Sequence, residues 1–174
     1  MTIAELYASR LPKPEQDADI WEHLPTLRAY AERVRHITEF GVRTGNSTTG
    51  FLMGLSRFGG EMHSYEIEAC RYWPPHIPGV TWTWIQADTA KLPTIAPTEL
   101  LFLDSCHETD HVMKEFRFAP LVSKYILLHD TALDWPGGDR VRKARDLFLG
   151  VNPGWIVANE WQNCNGLSVL ERIA

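Results

Sequence analysis

Two short apolar runs of this sequence each end in an aspartate that has a histidine close by. Asp104 follows "TELLFL" and His107 comes three positions later, while Asp130 follows "KYILLH", whose last residue is His129. If the two runs are neighbouring parallel strands, the carboxylates lie about 5 Å apart. They then repel each other unless a proton or a cation lies between them. Oxygen ligands of this kind favour Mg²⁺, Mn²⁺ or Ca²⁺.

These residues are therefore the first candidates for chemistry. We predict a divalent-metal site at Asp104 and Asp130. His107 and His129 can each be a third metal ligand or the general base. His107 is the preferred base, and Asp104 and His129 are further catalytic candidates. Simpler interpretations stay open: Asp104 can cap the helix that begins near His107, and Asp130 can cap a turn with Thr131. His129 can be a hydrogen-bonded core histidine.

A second group of candidates lies in "ITEFGVRTGNSTT", where an apolar run meets two glycines and a helix start signal. Glu39, Gly41 and Gly45 form the pattern ExGxxxG, and Ser47 opens a helix whose free N–H groups face the loop. Glycines allow the backbone to turn tightly and to approach a ligand. This pattern differs from GxGxxG, the dinucleotide fingerprint, and Glu39 would place a negative charge beside a pyrophosphate. A pyrophosphate ligand is therefore disfavoured, and a ligand that carries an amine or a sulfonium is favoured. A plain strand–turn–helix junction is the simpler alternative.

Two more carboxylates extend this pattern along the chain. Glu66 ends the next strand, 25 positions after Gly41, where nucleoside-binding sheets use a carboxylate to accept both ribose hydroxyls. Asp88 follows the third strand, where a carboxylate can accept a hydrogen bond from an adenine amine. Glu66 can instead be a surface acid, and Asp88 can cap "TAKL". Acids at the ends of three successive strands nevertheless favour a shared site.

The elements that must position these residues alternate between strands and helices. Apolar runs predict strands at "HITEFGV", "EMHSYEIE", "VTWTWIQAD", "TELLFLDS" and "KYILLHDT", and a final pair, "WIVANEWQ" and "GLSVLERIA", joined by "NCNG". Helical patterns predict "STTGFLMGLSRF", capped by Ser47 or Asn46, then "HETDHVMKEFRFAPLV" and "GGDRVRKARDLFLGV", with a helical turn in "EACRYWPPHIPG". The predicted fold class is α/β: a Rossmann-like three-layer sandwich with a mostly parallel seven-stranded sheet and a C-terminal antiparallel hairpin.

Length and composition exclude several classes of protein. A chain of 174 residues, 44% of them hydrophobic, suits one core. We predict N-terminal helices in residues 1–36, a candidate lid, and a ligand-binding domain in residues 37–174. The net charge of −5 disfavours nucleic acid, and three widely spaced cysteines disfavour a disulfide framework. Because no signal peptide and no apolar run of roughly 18 residues is present, we expect no membrane span and a cytoplasmic location.

The motifs "EFGVRTGNS", "HSYEIE", "FLDSCHETDHVMKEFRFAPLV" and "YILLHDT" resemble those of class I S-adenosylmethionine-dependent methyltransferases. Within that class the chain is similar to the small group of metal-dependent O-methyltransferases and cephalosporin-hydroxylase-like proteins. The resemblance covers most of the chain from Ile37 onward. It implies S-adenosylmethionine as cofactor, with these binding residues: Glu39, Gly41 and Gly45 at the methionine part, Glu66 at the ribose, Asp88 at the adenine, and Arg43, Ser47 and Asp104 beside them. Thr131 is a departure, since the metal-dependent pattern has an asparagine there.

We therefore expect a methyltransferase that acts on an oxygen, less readily a nitrogen, of a small molecule or a glycan. The sulfonium is already activated, so catalysis is mainly alignment of the nucleophile, the methyl carbon and the sulfur. A base or a metal such as Mg²⁺ supplies the alkoxide. Trp135 is a candidate substrate contact, and a homo-oligomer could complete a short lid. The alternatives are an NAD-linked oxidoreductase, a non-catalytic nucleoside binder and a glycan-modifying or hydroxylase-like relative.

Overall fold

The computed structural model describes residues 1–11, 20–134 and 137–173. Its strands are β1 (His36–Phe40), β2 (Gly60–Glu66), β3 (Val80–Gln86), β4 (Thr98–Leu103), β5 (Val122–His129), β6 (Trp155–Trp161) and β7 (Leu167–Arg172). They form one seven-stranded sheet. The candidate substrate contact Trp135 lies outside the described residues.

The order of the strands in the sheet is β3-β2-β1-β4-β5-β7-β6. β1 to β5 run parallel, and β7 pairs antiparallel with both β5 and β6. The chain first extends the sheet from β1 outward to β3 and then returns to the other side of β1. The pair β1 and β4 is therefore the topological switch point, where open α/β sheets bind ligands. The predicted mostly parallel sheet with a C-terminal antiparallel hairpin is confirmed.

Helices cover both faces of this sheet and bury an apolar core on each. α1 (Ile3–Arg10), α2 (Leu24–Ala31) and α3 (Asn46–Leu55) pack on one face, and α4 (Thr109–Glu115) and α5 (Gly138–Val151) pack on the other. Side chains alternate along each strand, so Leu100 and Phe102 of β4 enter the first core, while Leu101 and Leu103 enter the second. The three-layer prediction is confirmed. Among the described residues, no helix combines the length and apolar character that a membrane crossing requires.

The helical turn expected in residues 68–79 is wrong, because the chain there is irregular. Pro74 and Pro75 explain this, since the residue before a proline avoids the helical region and proline lacks an N–H. The helix expected over residues 107–122 begins only at Thr109. After Glu115 it continues as a 3-10 helix, Phe116–Leu121, that contains Pro120. His107 therefore lies in a loop before α4.

The expected cap of α3 is also wrong. Neither Asn46 nor Ser47 is the N-cap, since both lie inside the helix and Gly45 precedes it with a left-handed φ of 76°. A residue with a side chain rarely adopts this conformation. The glycine therefore sets the direction in which α3 leaves the loop after β1.

Gly54 lies where α3 crosses α2, and a side chain there would collide with the facing helix. A Cβ atom at Gly54 would lie 2.4 Å from the Cβ of Ala31 and 2.5 Å from the carbonyl oxygen of Arg28. We predict that Gly54→Ala lowers the free energy of unfolding by about 1–3 kcal/mol through overpacking, as measured by urea denaturation. Gly150 of α5 is the matched control, because no atom lies within 4 Å of a Cβ placed there. Gly150→Ala should instead gain about 0.5–1 kcal/mol from helix propensity, and equal losses in both variants would contradict the close crossing.

Candidate functional site

A cavity of about 430 Å³ opens beside the carboxyl ends of the parallel strands. Its volume lies within the roughly 300–1,000 Å³ that small-molecule sites occupy. Gly41, Glu66 and Asp88, three of the residues predicted to bind a nucleoside, line it. The other lining residues are Tyr65, Ile67, Ala87, Thr89, Ala90, Lys91, Ser105, Cys106, His111 and Lys114. The structure therefore brings the ends of β1, β2, β3 and β4 to one cavity. Ile67, His111 and Lys114 were not among the residues predicted to line it.

A much smaller cavity of about 20 Å³ lies beside the same loop. Its lining includes the predicted residues Arg43, Ser47 and Asp104, together with Ile20, Val42, Thr44 and Asn46. Arg10 of α1 reaches this loop as well, donating to the carbonyl oxygen of Thr44 at 3.0 Å and to the side chain of Asn46. The N-terminal segment therefore contacts the loop that follows β1.

Gly41 is where the loop after β1 passes closest to β4. Its φ is +91°, and a Cβ atom there would lie 2.2 Å from the carbonyl oxygen of Asp104. Its N–H donates to the carbonyl oxygen of Tyr65 at 2.9 Å. Only glycine allows this approach without displacing the Asp104 backbone, so Gly41 brings the ends of β2 and β4 together at the cavity.

Gly45 makes room for a protein side chain rather than for a ligand. A Cβ atom at Gly45 would lie 2.3 Å from the ring of Tyr72, a buried residue that the sequence reasoning missed. The Tyr72 hydroxyl lies 3.0 Å from Thr49 Oγ1, which in turn donates to the carbonyl oxygen of Gly45 at 2.6 Å. Contact between Gly45 and the cofactor stays a prediction, and this packing argues against it.

Glu39 lines neither cavity. Its fully buried carboxylate accepts hydrogen bonds from three hydroxyls: Ser47 at 2.6 Å, Thr48 at 2.8 Å and Ser64 at 2.7 Å. Trp82 of β3 donates its indole N–H to Ser64 at 2.9 Å, which extends the network across the sheet. Glu39 and Ser47 therefore hold the first turn of α3 against the strands. Their contact with the cofactor stays a prediction, and for Glu39 this geometry argues against it.

Glu66 lines the larger cavity, but its carboxylate already accepts four backbone N–H groups. One oxygen accepts from Val42 and Arg43 at 2.9 and 3.0 Å, and the other from Ile67 and Glu68 at 2.8 and 3.2 Å. Burial acts to raise the pKa of Glu66, but these donors outweigh burial and lower the pKa. As an anion, Glu66 thus holds the loop in place. Its contact with ribose hydroxyls stays a prediction, because the carboxylate would have to share its lone pairs between these backbone donors and the ribose.

Asp88 caps the short 3-10 turn Thr89–Lys91, as the simpler interpretation proposed. One oxygen accepts from the N–H of Ala90 at 3.0 Å, and the other pairs with Lys91 Nζ at 2.8 Å. The hydrogen bond from Lys91 lowers the pKa of Asp88. Because Asp88 also lines the larger cavity, capping leaves its carboxylate able to accept a bond from a ligand amine.

Asp104 and Asp130 meet in one cluster at the ends of β4 and β5, together with the histidines predicted beside them. His107 Nε2 lies 2.6 Å from Asp130 Oδ2 and 4.0 Å from Asp104 Oδ1. His129 Nδ1 lies 3.3 Å from Asp104 Oδ1 and 3.2 Å from Asp130 Oδ2. One histidine nitrogen contacts both carboxylates, so their predicted close approach is confirmed. The hydrogen bonds from His107 and His129 lower the pKa of Asp130 although its burial opposes this.

His129 supplies the cation that two neighbouring carboxylates need. Its buried ring donates from Nε2 to the carbonyl oxygen of Cys164 at 2.9 Å, so Nδ1 donates to an aspartate only when the ring is doubly protonated. Burial lowers the pKa of His129, but the charges of Asp104 and Asp130 outweigh burial and raise it well above its usual range. An imidazolium with both nitrogens engaged has no atom left to accept a proton. A catalytic role for His129 stays a prediction, and this geometry argues for a positioning role.

The turn between β6 and β7 holds His129, and the sequence reasoning missed this. Cys164 and Asn165 adopt positive φ values of 46° and 64°, and the carbonyl oxygen of Cys164 accepts from His129. The preceding carbonyl, that of Asn163, accepts from His23 at 2.9 Å. Burial lowers the pKa of His23 to about 4, so His23 is neutral at pH 7. The letters "NCNG" indicated a hairpin turn but not that its carbonyls face the acid cluster.

The acid cluster also offers donor atoms for a metal ion. Asp104, His107 and Asp130 each present one atom, and these atoms lie within 4.8 Å of one another. Oδ1 of Asp130 is buried and has no hydrogen-bond partner among the described residues, so it retains acceptor capacity. Two carboxylates and an imidazole fit a divalent ion such as Mn²⁺. Thr131, which replaces the expected asparagine, is fully buried and accepts instead from the Ser168 hydroxyl at 3.1 Å.

No protein-family model matches the chain, and no curated protein matches it. Its fold is that of solved methyltransferases. The O-methyltransferase from Bacillus cereus in complex with S-adenosylhomocysteine aligns with a TM-score of 0.62 at 15% identity, over 98% of this chain and 88% of that chain. The S-adenosylhomocysteine-bound methyltransferase PaMTH1 of Podospora anserina gives 0.64 at 14% identity, over 98% and 87%. The 1,6-didemethyltoxoflavin-N1-methyltransferase of Burkholderia thailandensis gives 0.62 at 12%, over 99% and 87%.

Burial of Glu39 makes the stability of the fold depend on pH. Burial raises the pKa of Glu39 from 4.5 to about 7, although its three hydroxyl donors oppose this rise. Between these values the folded protein binds more protons than the unfolded chain, so the free energy of unfolding falls as the pH rises. At about 1.4 kcal/mol for each pKa unit, the loss is roughly 3 kcal/mol.

Glu39→Gln keeps the size of the side chain and removes the titration. We predict that the unfolding free energy of the wild type, minus that of Glu39→Gln, falls by roughly 3 kcal/mol across this pH window. Urea denaturation at a series of pH values measures it. Glu61→Gln changes an exposed carboxylate of β2 in the same way and is the control. A difference between wild type and Glu39→Gln that stays constant with pH would contradict a titrating, buried Glu39.

Proposed function

We propose that this protein is an S-adenosylmethionine-dependent methyltransferase that acts on an oxygen of a small molecule or a glycan. The observation that supports this most is the cavity at the switch point, whose lining joins Gly41, Glu66 and Asp88. The solved structures with the same fold include methyltransferases bound to S-adenosylhomocysteine. An NAD-linked oxidoreductase and a non-catalytic binder are not favoured by these neighbours.

The larger cavity suits the nucleoside part of this cofactor. Ile67 is 63% exposed and lines the cavity, so it offers an apolar surface to a flat base. Asp88 accepts a hydrogen bond from the exocyclic amine of adenine. Glu66 faces the ribose, and its carboxylate shares its lone pairs between the loop amides and the ribose hydroxyls. The methionine part then extends toward the smaller cavity beside Arg43 and Ser47.

The acid cluster is the place for the methyl transfer. Asp104 lines the smaller cavity, and the next residue, Ser105, lines the larger one. His107 is 39% exposed and takes the proton of the substrate hydroxyl while that oxygen attacks the methyl carbon. The sulfonium leaves as a neutral thioether, and Asp130 stabilises the imidazolium that forms at His107. Alignment of oxygen, carbon and sulfur supplies most of the rate.

The same site could instead work with a divalent ion bound by Asp104, His107 and Asp130, which is its second proposed form. The observation that favours it is the donor triad together with the unpartnered Oδ1 of Asp130. Such an ion lowers the pKa of a substrate hydroxyl and orients it. His107 would then be a ligand and could not also accept the proton. The two forms therefore respond differently to a chelator.

Residues 1–36 are the candidate lid of this enzyme. Support comes from Arg10, which bonds Thr44 and Asn46 and lies with its guanidinium carbon 5.4 Å from the centre of the Tyr72 ring. Ile20 also lines the smaller cavity. Entry of the methionine part of the cofactor into that cavity requires these contacts to open, because about 20 Å³ holds no more than a water molecule.

Calorimetric titration with S-adenosylhomocysteine tests the cofactor. We predict saturable binding with one site per chain, and a rise in the unfolding temperature on binding. NAD⁺ is the control ligand and should give neither. Formation of S-adenosylhomocysteine from S-adenosylmethionine with a panel of phenols, hydroxy acids and sugars then identifies the acceptor. Absence of both binding and thermal stabilisation would refute the methyltransferase proposal.

His107→Gln removes the base and keeps a similar size. We predict that turnover falls by about 10²–10⁴-fold, while the affinity for S-adenosylhomocysteine changes by less than about threefold. His36→Gln, at the opposite end of β1, is the matched control and should retain turnover. Full activity of His107→Gln without added metal would refute His107 as the base.

A chelator separates the base from the metal form. Turnover that survives EDTA supports His107 as base. The bound ion is supported if EDTA abolishes turnover of the wild type and Mn²⁺ restores it. Mn²⁺ should then fail to restore turnover in Asp104→Ala and in Asp130→Ala. A divalent response that is unchanged in both aspartate variants would refute the metal site at this pair.

A further inference from the structure

A second polar cluster lies in the wall of the larger cavity. Glu115 of α4 is fully buried, and its Oε1 atom accepts from Thr89 Oγ1 at 2.5 Å, from the Ser105 hydroxyl and from His111 Nε2 at 3.2 Å. Thr89, Ser105 and His111 all line the cavity, and Glu115 lies behind them. The proposed methyl transfer uses none of these residues. The cluster therefore has a different role at the same cavity.

His111 is the residue of this cluster that can carry a positive charge, with Nε2 3.2 Å from Glu115 Oε1. The hydrogen bond to Glu115 raises the pKa of His111, burial opposes the rise, and the charges of Asp88 and Lys114 act in opposite directions. A buried carboxylate is costly without a charged partner, so Glu115 and a protonated His111 stabilise each other. Nε2 of His111 donates into the cluster. Its Nδ1 atom makes no hydrogen bond within the part of the chain that the structure describes.

We infer that His111 recognises the purine ring of the bound nucleoside by donating its Nδ1–H to a ring nitrogen, with Glu115 as the positioning residue behind it. This inference rests on the proposed function, which supplies the nucleoside. The His111 side chain is 23% exposed, so its ring is accessible from the cavity. Its Nε2 atom is held by Glu115 on the side away from the cavity. The Glu115 contact fixes which nitrogen faces inward.

The edge of adenine that carries its exocyclic amine matches the hydrogen-bonding groups of Asp88 and His111. Its exocyclic amine is a donor, and a ring nitrogen beside that amine is an acceptor. Asp88 accepts one bond on each oxygen from within the protein, which leaves lone pairs for the amine, while His111 supplies the donor. A base with an oxo group in place of the amine would put an acceptor against Asp88. Two acceptors that face each other with no hydrogen between them weaken binding.

Calorimetry with analogues of S-adenosylhomocysteine tests this recognition. In its 1-deaza, 3-deaza and 7-deaza adenine forms, one ring nitrogen is replaced by C–H. We expect the wild type to bind either the 1-deaza or the 7-deaza form about tenfold more weakly than S-adenosylhomocysteine itself, the cost of one lost hydrogen bond. The 3-deaza form should bind like S-adenosylhomocysteine, because N3 does not lie beside the amine. His111→Gln should bind S-adenosylhomocysteine about tenfold more weakly and no longer discriminate against that analogue. The glutamine amide can keep the Nε2 contact with Glu115 but has no atom in place of Nδ1.

Glu115→Gln and His36→Gln complete the set of variants. Glu115→Gln should reduce the discrimination because the ring is no longer held charged, whereas His36→Gln, at the far end of the sheet, should keep it. ¹⁵N spectra of histidine-labelled wild type give an independent measurement: the Nδ1 signal of His111 should shift with S-adenosylhomocysteine and not with the weak analogue.

Unchanged discrimination in His111→Gln, or equal binding of all analogues by the wild type, would overturn the role of His111 and leave the methyltransferase proposal intact. A wild type that binds neither S-adenosylhomocysteine nor adenosine would refute the proposed function as well. If the Nδ1 signal of His111 does not shift with any ligand that binds, the inference is also overturned.

Discussion

A carboxylate buried where a parallel strand ends needs donors that the strand itself cannot supply, and this constraint shapes the whole carboxyl edge of the sheet. Glu39, Glu66 and Asp130 each meet it with different partners, and Glu115, which α4 brings to the same edge, does so as well. Those partners come from loops and helices far apart in the chain. Satisfying the acids therefore assembles the loops around the cavity.

The kind of donor decides what each acid can do. Neutral hydroxyls surround Glu39, and burial raises the pKa of Glu39 to about 7, so this acid serves the packing of α3. Backbone N–H groups outweigh burial at Glu66 and keep it an anion at the cavity wall. Histidines surround Asp130, which places His107, the proposed proton acceptor, beside a fixed charge. One edge of one sheet thus holds an acid that serves structure and acids that we propose for ligand binding and for chemistry.

The alternation of apolar runs and helical patterns was enough to predict the layers, the parallel sheet and the antiparallel hairpin, because burial on both faces leaves a strong periodic signal. The spacing of strand-end acids also located the cavity through Gly41, Glu66 and Asp88. It could not show that Glu39 faces α3, because alternation gives the side of the sheet but not what covers it. Nor could it show that Tyr72 fills the space at Gly45 or that His129 balances two aspartates. Those contacts depend on loops distant in sequence.

β7 follows β6 in the chain but lies between β5 and β6 in the sheet. β6 therefore pairs with no other strand of the sheet until β7 has entered, and the turn that joins them brings the Cys164 carbonyl to His129 only then. A chain still emerging from the ribosome can complete β1 to β5 while its two aspartates lack a properly oriented imidazolium. The order of synthesis thus leaves the acid cluster without the contact between His129 and Cys164 until the final hairpin has closed.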